Sequence, residues 1–208
     1  MKRFQIEEAV KYGWNTVKTN LGLFVALALV YAILGSIDGN PQPHNRTFTG
    51  PISWLLTTLM MMGIIRIVLK FVDGGKARFS ELWANFDGFL RYFGASILYG
   101  LIVFGGLILL IVPGIIWAIR FSYYGYFIID GKCGVTESLR KSTELTKGSK
   151  MDLFVFGLAI LGINVLGILC LGIGVLVTIP LSWLAVGHVY RKLQATVVPA
   201  APAAPTAN

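Results

Sequence analysis

From Tyr92 to Ile129 the chain runs 38 residues with one charge, Arg120, and from Leu153 to Val189 it runs 37 with no Asp, Glu, Lys or Arg. A continuous helix of the first length would measure about 57 Å, nearly twice the ~30 Å hydrocarbon core of a bilayer. Each run must therefore fold back on itself. Pro113-Gly114 supplies a break in the first, because proline cannot continue the hydrogen-bond ladder and glycine admits a turn. Cys170-Leu171-Gly172-Ile173-Gly174 is the weak point of the second. Two shorter apolar runs, Leu21 to Ile37 and Ile52 to Leu69, come first. The expected fold is an all-α membrane protein with six transmembrane helices arranged as three hairpins.

Composition agrees. Of 208 residues, 55% are apolar and 13% charged, and the mean hydropathy is +0.71. A soluble domain can bury one or two uninterrupted apolar segments but not most of its length. That excludes an ordinary soluble enzyme and a disordered chain. Two cysteines, Cys133 and Cys170, are too few for a disulfide framework. Met1-Lys2-Arg3 imitates a signal-peptide start, but Glu7 and Glu8 follow and no apolar run begins before Leu21, so no cleavage is expected.

The net charge of +8 acquires meaning from where the basic residues lie. With a cytoplasmic N-terminus, Lys2, Arg3, Lys11 and Lys18 are inside, then Lys70, Lys76, Arg78 and Arg91. Lys132, Arg140, Lys141, Lys147 and Lys150 follow, and lastly Arg191 and Lys192. Fifteen of eighteen are then cytoplasmic, only Arg46 is outside, and Arg66 and Arg120 fall within spans. The expected location is the cell membrane, multi-pass, with both termini in the cytoplasm. The basic excess belongs to the membrane surface, and no nucleic-acid partner is expected. The outer loop, Asp38 to Gly50, holds a sequon at Asn45-Arg46-Thr47 that reads as a chance match.

Residues 1–193 read as one membrane domain and 194–208 as a disordered Ala/Pro tail. Within the domain three pseudo-repeats, about 4–70, 77–130 and 134–192, each place a polar inner segment before a hairpin. Glu8 precedes Lys18 by ten residues, Glu81 precedes Arg91 and Glu137 precedes Lys147 by the same interval. Apolar residues three to four apart give each segment one apolar face, the pattern of an amphipathic helix lying along the cytoplasmic interface. In the third segment Thr136 is expected to cap the helix, Glu137 to face Lys141, and Gly148 to end it.

Val112-Pro113-Gly114-Ile115, Arg120, Tyr123-Tyr124, Asp130, the run Glu137-Ser138-Leu139-Arg140-Lys141-Ser142 through Lys147-Gly148, and the later Ile179-Pro180 and Val189-Tyr190 together carry a resemblance. They resemble uncharacterised prokaryotic six-helix integral membrane families related to the membrane domain of glycerophosphoryl diester phosphodiesterase. The resemblance covers most of residues 90 to 192. It implies a membrane fold and location. In the related enzymes catalysis belongs to a separate soluble barrel, so no catalytic residue carries over.

Arg120 is the residue least expected in a span, about 9 Å beyond the turn at Gly114. Trp117, Tyr124 and Phe127 share its helical face and offer aromatic contact. Asn164 and Thr57 are expected at a similar depth, completing a candidate polar intramembrane site of Arg120, Asn164, Thr57, Tyr124 and Trp117. As a structural device, Arg120 would reach amide or backbone oxygen near Asn164 or Leu176. As a functional one, it would hold a polar solute or anion. Arg140, Lys141 and Lys147 are candidate contacts for anionic lipid headgroups. Gly157, Gly162, Gly167 and Gly172 recur every five residues, which spreads them around a helix instead of forming a GxxxG seam. They are expected to let helices within the protein approach closely.

Enzyme constellations are sparse. His44 and His188 fall on opposite sides of the membrane, and no P-loop, HExxH, CxxC or G-x-S-x-G motif occurs. No catalytic residue, metal or cofactor is assigned. Asp38 and His44 share a solvated loop. The leading expectation is a non-enzymatic integral membrane module that binds lipid or a membrane protein partner at the inner leaflet. A small transporter or channel centred on Arg120 is the alternative, and a membrane lipid enzyme the second alternative.

Overall fold

The computed structural model describes residues 3–36, 46–83, 87–170 and 172–197. Among these the chain is helical, without strands. The helices are α1 (Ile6–Thr19), α2 (Leu21–Ser36), α3 (Arg46–Val72), α4 (Phe89–Leu109), α5 (Ile111–Phe121), α6 (Tyr124–Gly131), α7 (Val135–Thr146), α8 (Lys150–Leu169) and α9 (Val175–Val197). Four stretches are long and apolar enough to cross a bilayer: Trp54–Val72 within α3, α4, α5 together with α6, and α8. The 16-residue α2 leaves α1 through a bend of 100°.

The last of the six expected spans, α9, is the helix the others surround. It packs against α1, α2, α3, α7 and α8 and buries Leu181, Leu184, Ala185, Val189, Tyr190 and Leu193. A helix enclosed by protein tolerates Ser182, His188 and Tyr190 among its apolar residues because protein, not lipid, meets them. Peripheral α4 and α8 do the opposite. Leu101, Phe104 and Ile108 on α4, and Leu158, Leu161 and Leu166 on α8, are exposed. Such a contiguous apolar surface is what a lipid-facing helix presents.

The hairpin of α4 and α5 turns earlier than Pro113-Gly114. α4 ends at Leu109, Leu110 is extended (φ −167°, ψ 148°), and Pro113 lies in the first turn of α5. The proline ring collides with the carbonyl four residues back, that of Leu109, and has no N–H to offer it. Inside a first turn that missing donor costs nothing. Gly106 and Gly114 then bring the two backbones together: a Cβ on Gly106 would lie 3.0 Å from Gly114 Cα and 2.7 Å from the Trp117 ring. In the hairpin of α8 and α9 Gly167 plays that part against Gly174, and Gly172 turns the chain at φ +74°. Gly157 and Gly162 face open space, so the expected close approach holds only at Gly167.

The polar inner segments are not three equal helices. α1 docks lengthwise on α9, burying Ala9, Gly13 and Val17; a Cβ on Gly13 would meet the Leu181 carbonyl at 2.7 Å. The second segment contains a single 3-10 turn, Phe79–Leu82, because Leu82 must reach back to seat against Gly63 of α3. Its residues 84–86 lie outside the described set. α7 is a full helix, capped by Gly134 instead of Thr136, and Gly148 follows it in a left-handed conformation (φ +85°) as expected. α9 continues through Val197, four residues into the expected tail, since Leu193 is buried and Gln194 bonds back to Arg191. The remaining tail, Asp38, His44 and Asn45 lie outside the described residues.

Candidate functional site

Contacts between distant segments gather the charged residues at one end of the bundle. Arg191, at the end of α9, donates from Nε and Nη2 to Asp73 (2.8 and 2.7 Å) and from Nη1 and Nη2 to Asp130 (2.6 and 2.9 Å). A further Nη1 bond reaches Gln194 at 2.8 Å, so the whole fork is engaged. The buried Tyr190 adds a bond to Asp130 (3.1 Å) and packs among Tyr123, Tyr126 and Phe127. This arginine thus ties the ends of α3, α6 and α9 together. Lys192 and Glu8 (2.7 Å) join α9 to α1, Arg91 donates to the Lys132 carbonyl (2.9 Å), and Arg3 to that of Lys147 (2.9 Å). Lys70 holds Glu81 at 2.8 Å. The Glu8 carboxyl sits below its ordinary value chiefly through the Lys192 bond, and Glu81 likewise through Lys70.

A second polar centre lies where α5 passes into α6. The helix breaks at Ser122–Tyr123, which would leave backbone groups unpaired. α7 repairs the break with hydroxyls. Ser142 Oγ donates to the Arg120 carbonyl (2.9 Å) and accepts from the Tyr123 N–H (3.1 Å), while Thr146 Oγ1 lies 3.3 Å from the same carbonyl. Ser138, Ser142 and Thr146 are fully buried. Four-residue spacing puts the three hydroxyls on one helix face, a pattern the sequence reading passed over.

The five residues of the expected intramembrane site do not gather around Arg120. Its Nε donates to Thr143 on α7 (3.1 Å), and its guanidinium lies over Phe121, 5.5 Å from the ring centroid. It does not turn toward Asn164 or Leu176. Asn164 instead donates to Ser182 (2.8 Å) and the Ile160 carbonyl (2.9 Å), joining α8 to α9. Tyr124 shares a bond with Ser96 (2.9 Å), Thr57 donates to the Trp54 carbonyl (3.0 Å), and Trp117 fills the α4–α5 hairpin. The expected aromatic face assumed unbroken helix from Trp117 to Phe127. The break at Ser122 removes that periodicity and turns Arg120 to the polar face of α7.

Of the candidate headgroup contacts, Arg140 is exposed, with a long pairing to Glu144 (3.9 Å), and Lys147 is exposed just past the end of α7. Lys141 is engaged: it pairs with Glu137 (2.9 Å), as expected from their spacing, and donates to the buried Cys133 sulfur (3.2 Å). The Glu137 bond, with Cys133 behind it, raises the Lys141 pKa. Among the described residues no three His, Cys, Asp or Glu converge as metal ligands.

Residues 97–197 match the model of a family described as a protein of unknown function (DUF975). The match begins within α4 and ends with α9, just under half of the chain. It says nothing of function and does not connect the chain to the membrane domain of glycerophosphoryl diester phosphodiesterase. No match is found among curated proteins or solved structures.

Proposed function

We propose that this chain is a non-enzymatic integral membrane module whose charged end lies in the cytoplasm and engages anionic lipid headgroups there. α2, α3, α4, α5 with α6, α8 and α9 cross the membrane as three hairpins. The observation that carries the reading is the convergence of four sequence-distant segments at one end, through Arg3–Lys147, Glu8–Lys192, Arg91–Lys132 and the Asp73–Arg191–Asp130 hub. These are the segments that hold the cytoplasmic basic residues of the sequence reading. The glycine turns at Gly106–Gly114 and Gly167–Gly174 mark the opposite end. The kinship with the phosphodiesterase membrane domain is part of this proposal and rests on the motif residues alone.

Arg140 and Lys147 are the headgroup contacts we favour, because their positive charge is not consumed by a close ion pair. Each basic residue near an anionic surface contributes about 1 kcal/mol. Purified chain, delipidated in detergent and offered equal phosphatidylglycerol and phosphatidylcholine, is expected to retain the anionic lipid preferentially. Arg140→Gln with Lys147→Gln should abolish the preference. Equal retention of both lipids by the unaltered chain would overturn the reading. Transport through a centre at Arg120 is less well supported, since that side chain is directed to Thr143 and not to Asn164.

A further inference from the structure

The start of α8 meets the chain leading into α1. Arg3 Nη1 reaches the Lys147 carbonyl (2.9 Å), and the Phe4 ring stands edge-on to Phe156 (5.8 Å). Between these contacts a cleft of about 510 Å³ opens, lined by Phe4, Gln5, Ile6, Glu7, Asp152 and Val155. That volume falls within the roughly 300–1,000 Å³ of ordinary ligand sites. Its two carboxylates, Glu7 and Asp152, form no ion pair with any described residue. Arg3 and Lys150 stand within four residues of them along the chain and form no ion pair with any described residue.

Ser149 and Asp152 are the residue types of a capping box, three apart at the helix start, yet the serine makes no cap. Ser149 is 1% exposed, and its hydroxyl has no hydrogen-bond partner among the described residues. The Ser149 N–H is taken by the Thr146 carbonyl (3.1 Å), so Asp152 has no need to turn back, and the first turn of α8 keeps an unmet hydroxyl donor beside its own N–H groups and a free carboxylate. Just beyond, α8 exposes Met151, Val155 and Leu158. Negative charge in the lining of the cleft, positive charge one and two residues before that lining in the chain, and an apolar track along α8 make a three-part pattern.

We propose that this cleft binds the headgroup of an aminophospholipid. The primary ammonium lies between Glu7 and Asp152, the phosphate lies at Arg3, Lys150 and the first turn of α8, and the acyl chains follow Met151, Val155 and Leu158. A purely anionic lipid meets two carboxylates there with nothing to offer them. A choline headgroup carries the charge but no N–H with which to bond them. This inference rests on α8 being a lipid-facing span.

The test is native mass spectrometry of the full chain, titrated with phosphatidylethanolamine and phosphatidylcholine of matched acyl chains. Both lipids are net neutral, so the outcome is independent of the anionic-lipid preference at α7. The ethanolamine lipid should be retained roughly threefold or more over the choline lipid, the worth of one exposed charge-assisted contact. Glu7→Gln with Asp152→Asn should bring the two lipids level, and Arg3→Ala with Lys150→Ala should weaken both. Where the carboxylate pair lowers the melting temperature, Asp152→Asn alone serves, with a smaller loss of the preference. Equal retention by the unaltered chain, or a preference that survives Glu7→Gln with Asp152→Asn, would overturn the proposal while leaving phosphatidylglycerol binding at Arg140 and Lys147 intact.

Discussion

At Arg120 the backbone carbonyl and the side chain have different importance. The carbonyl stands at a helix break and takes its hydrogen bond from Ser142, which also serves the Tyr123 N–H. Losing Ser142 leaves the buried Tyr123 N–H without that partner and the Arg120 carbonyl with Thr146 alone (3.3 Å), which carries most of a desolvation penalty, about 1–3 kcal/mol. The guanidinium has one side-chain bond, to Thr143, on a partly exposed surface. Ser142→Ala is therefore expected to destabilise the chain by about 1–3 kcal/mol, and Arg120→Leu by under about 1 kcal/mol. Thermal unfolding of both variants in detergent checks the order; an Arg120→Leu variant less stable than Ser142→Ala would reverse it. The sequence made Arg120 conspicuous because a charge in an apolar run is rare. It gave no such prominence to Ser142, whose hydroxyl matters only because a helix breaks opposite it.

At the scale of elements, the two hairpins were legible from run length, and their turns from glycine and proline. The exact turn was misplaced because proline's steric reach extends to the carbonyl four residues before it, so the break belongs at Leu110, not at Pro113 itself. The polar segments were harder to read. Apolar residues three to four apart look the same whether the partner is lipid or another helix, and α1 spends its apolar face on α9. Glycines show the same ambiguity, which mutation resolves. Gly106→Val places new carbons against Trp117 and Gly114, forcing α4 from α5, and should cost about 1–3 kcal/mol. Gly157 has nothing within 4 Å of its would-be Cβ, so Gly157→Ala should stabilise by about 0.4–1 kcal/mol through its effect on the unfolded chain. Melting temperatures moving in opposite directions are the expected result; a fall for both would mean that α8 packs on a surface at Gly157.

Among the described residues the ion pairs that tie α1, α3, α6 and α9 together gather at one end of the molecule, and this polarity makes orientation testable with thiols. The distribution of Lys and Arg along the sequence singles out these segments, but nothing in the chain order brings residues 73, 130 and 191 to one point, where Arg191 binds Asp73 and Asp130 together. Burial also changes which native cysteine is informative. Cys133 is 3% exposed and will resist reagents from either side, whereas Cys170, at the opposite end, is exposed. In intact cells an impermeant maleimide is expected to label Cys170. Lys76, exposed after α3 among the charged segments, supplies the complementary position: Lys76→Cys, placed in a chain with Cys133→Ser and Cys170→Ser, should label only after the membrane is permeabilised. The reversed pattern, with Lys76→Cys reactive in intact cells and Cys170 protected, would place the charged end outside. It would also remove the cytoplasmic leaflet as the source of the headgroups proposed for Arg140, Lys147 and the α1–α8 cleft, because both sites lie at the same end as Lys76.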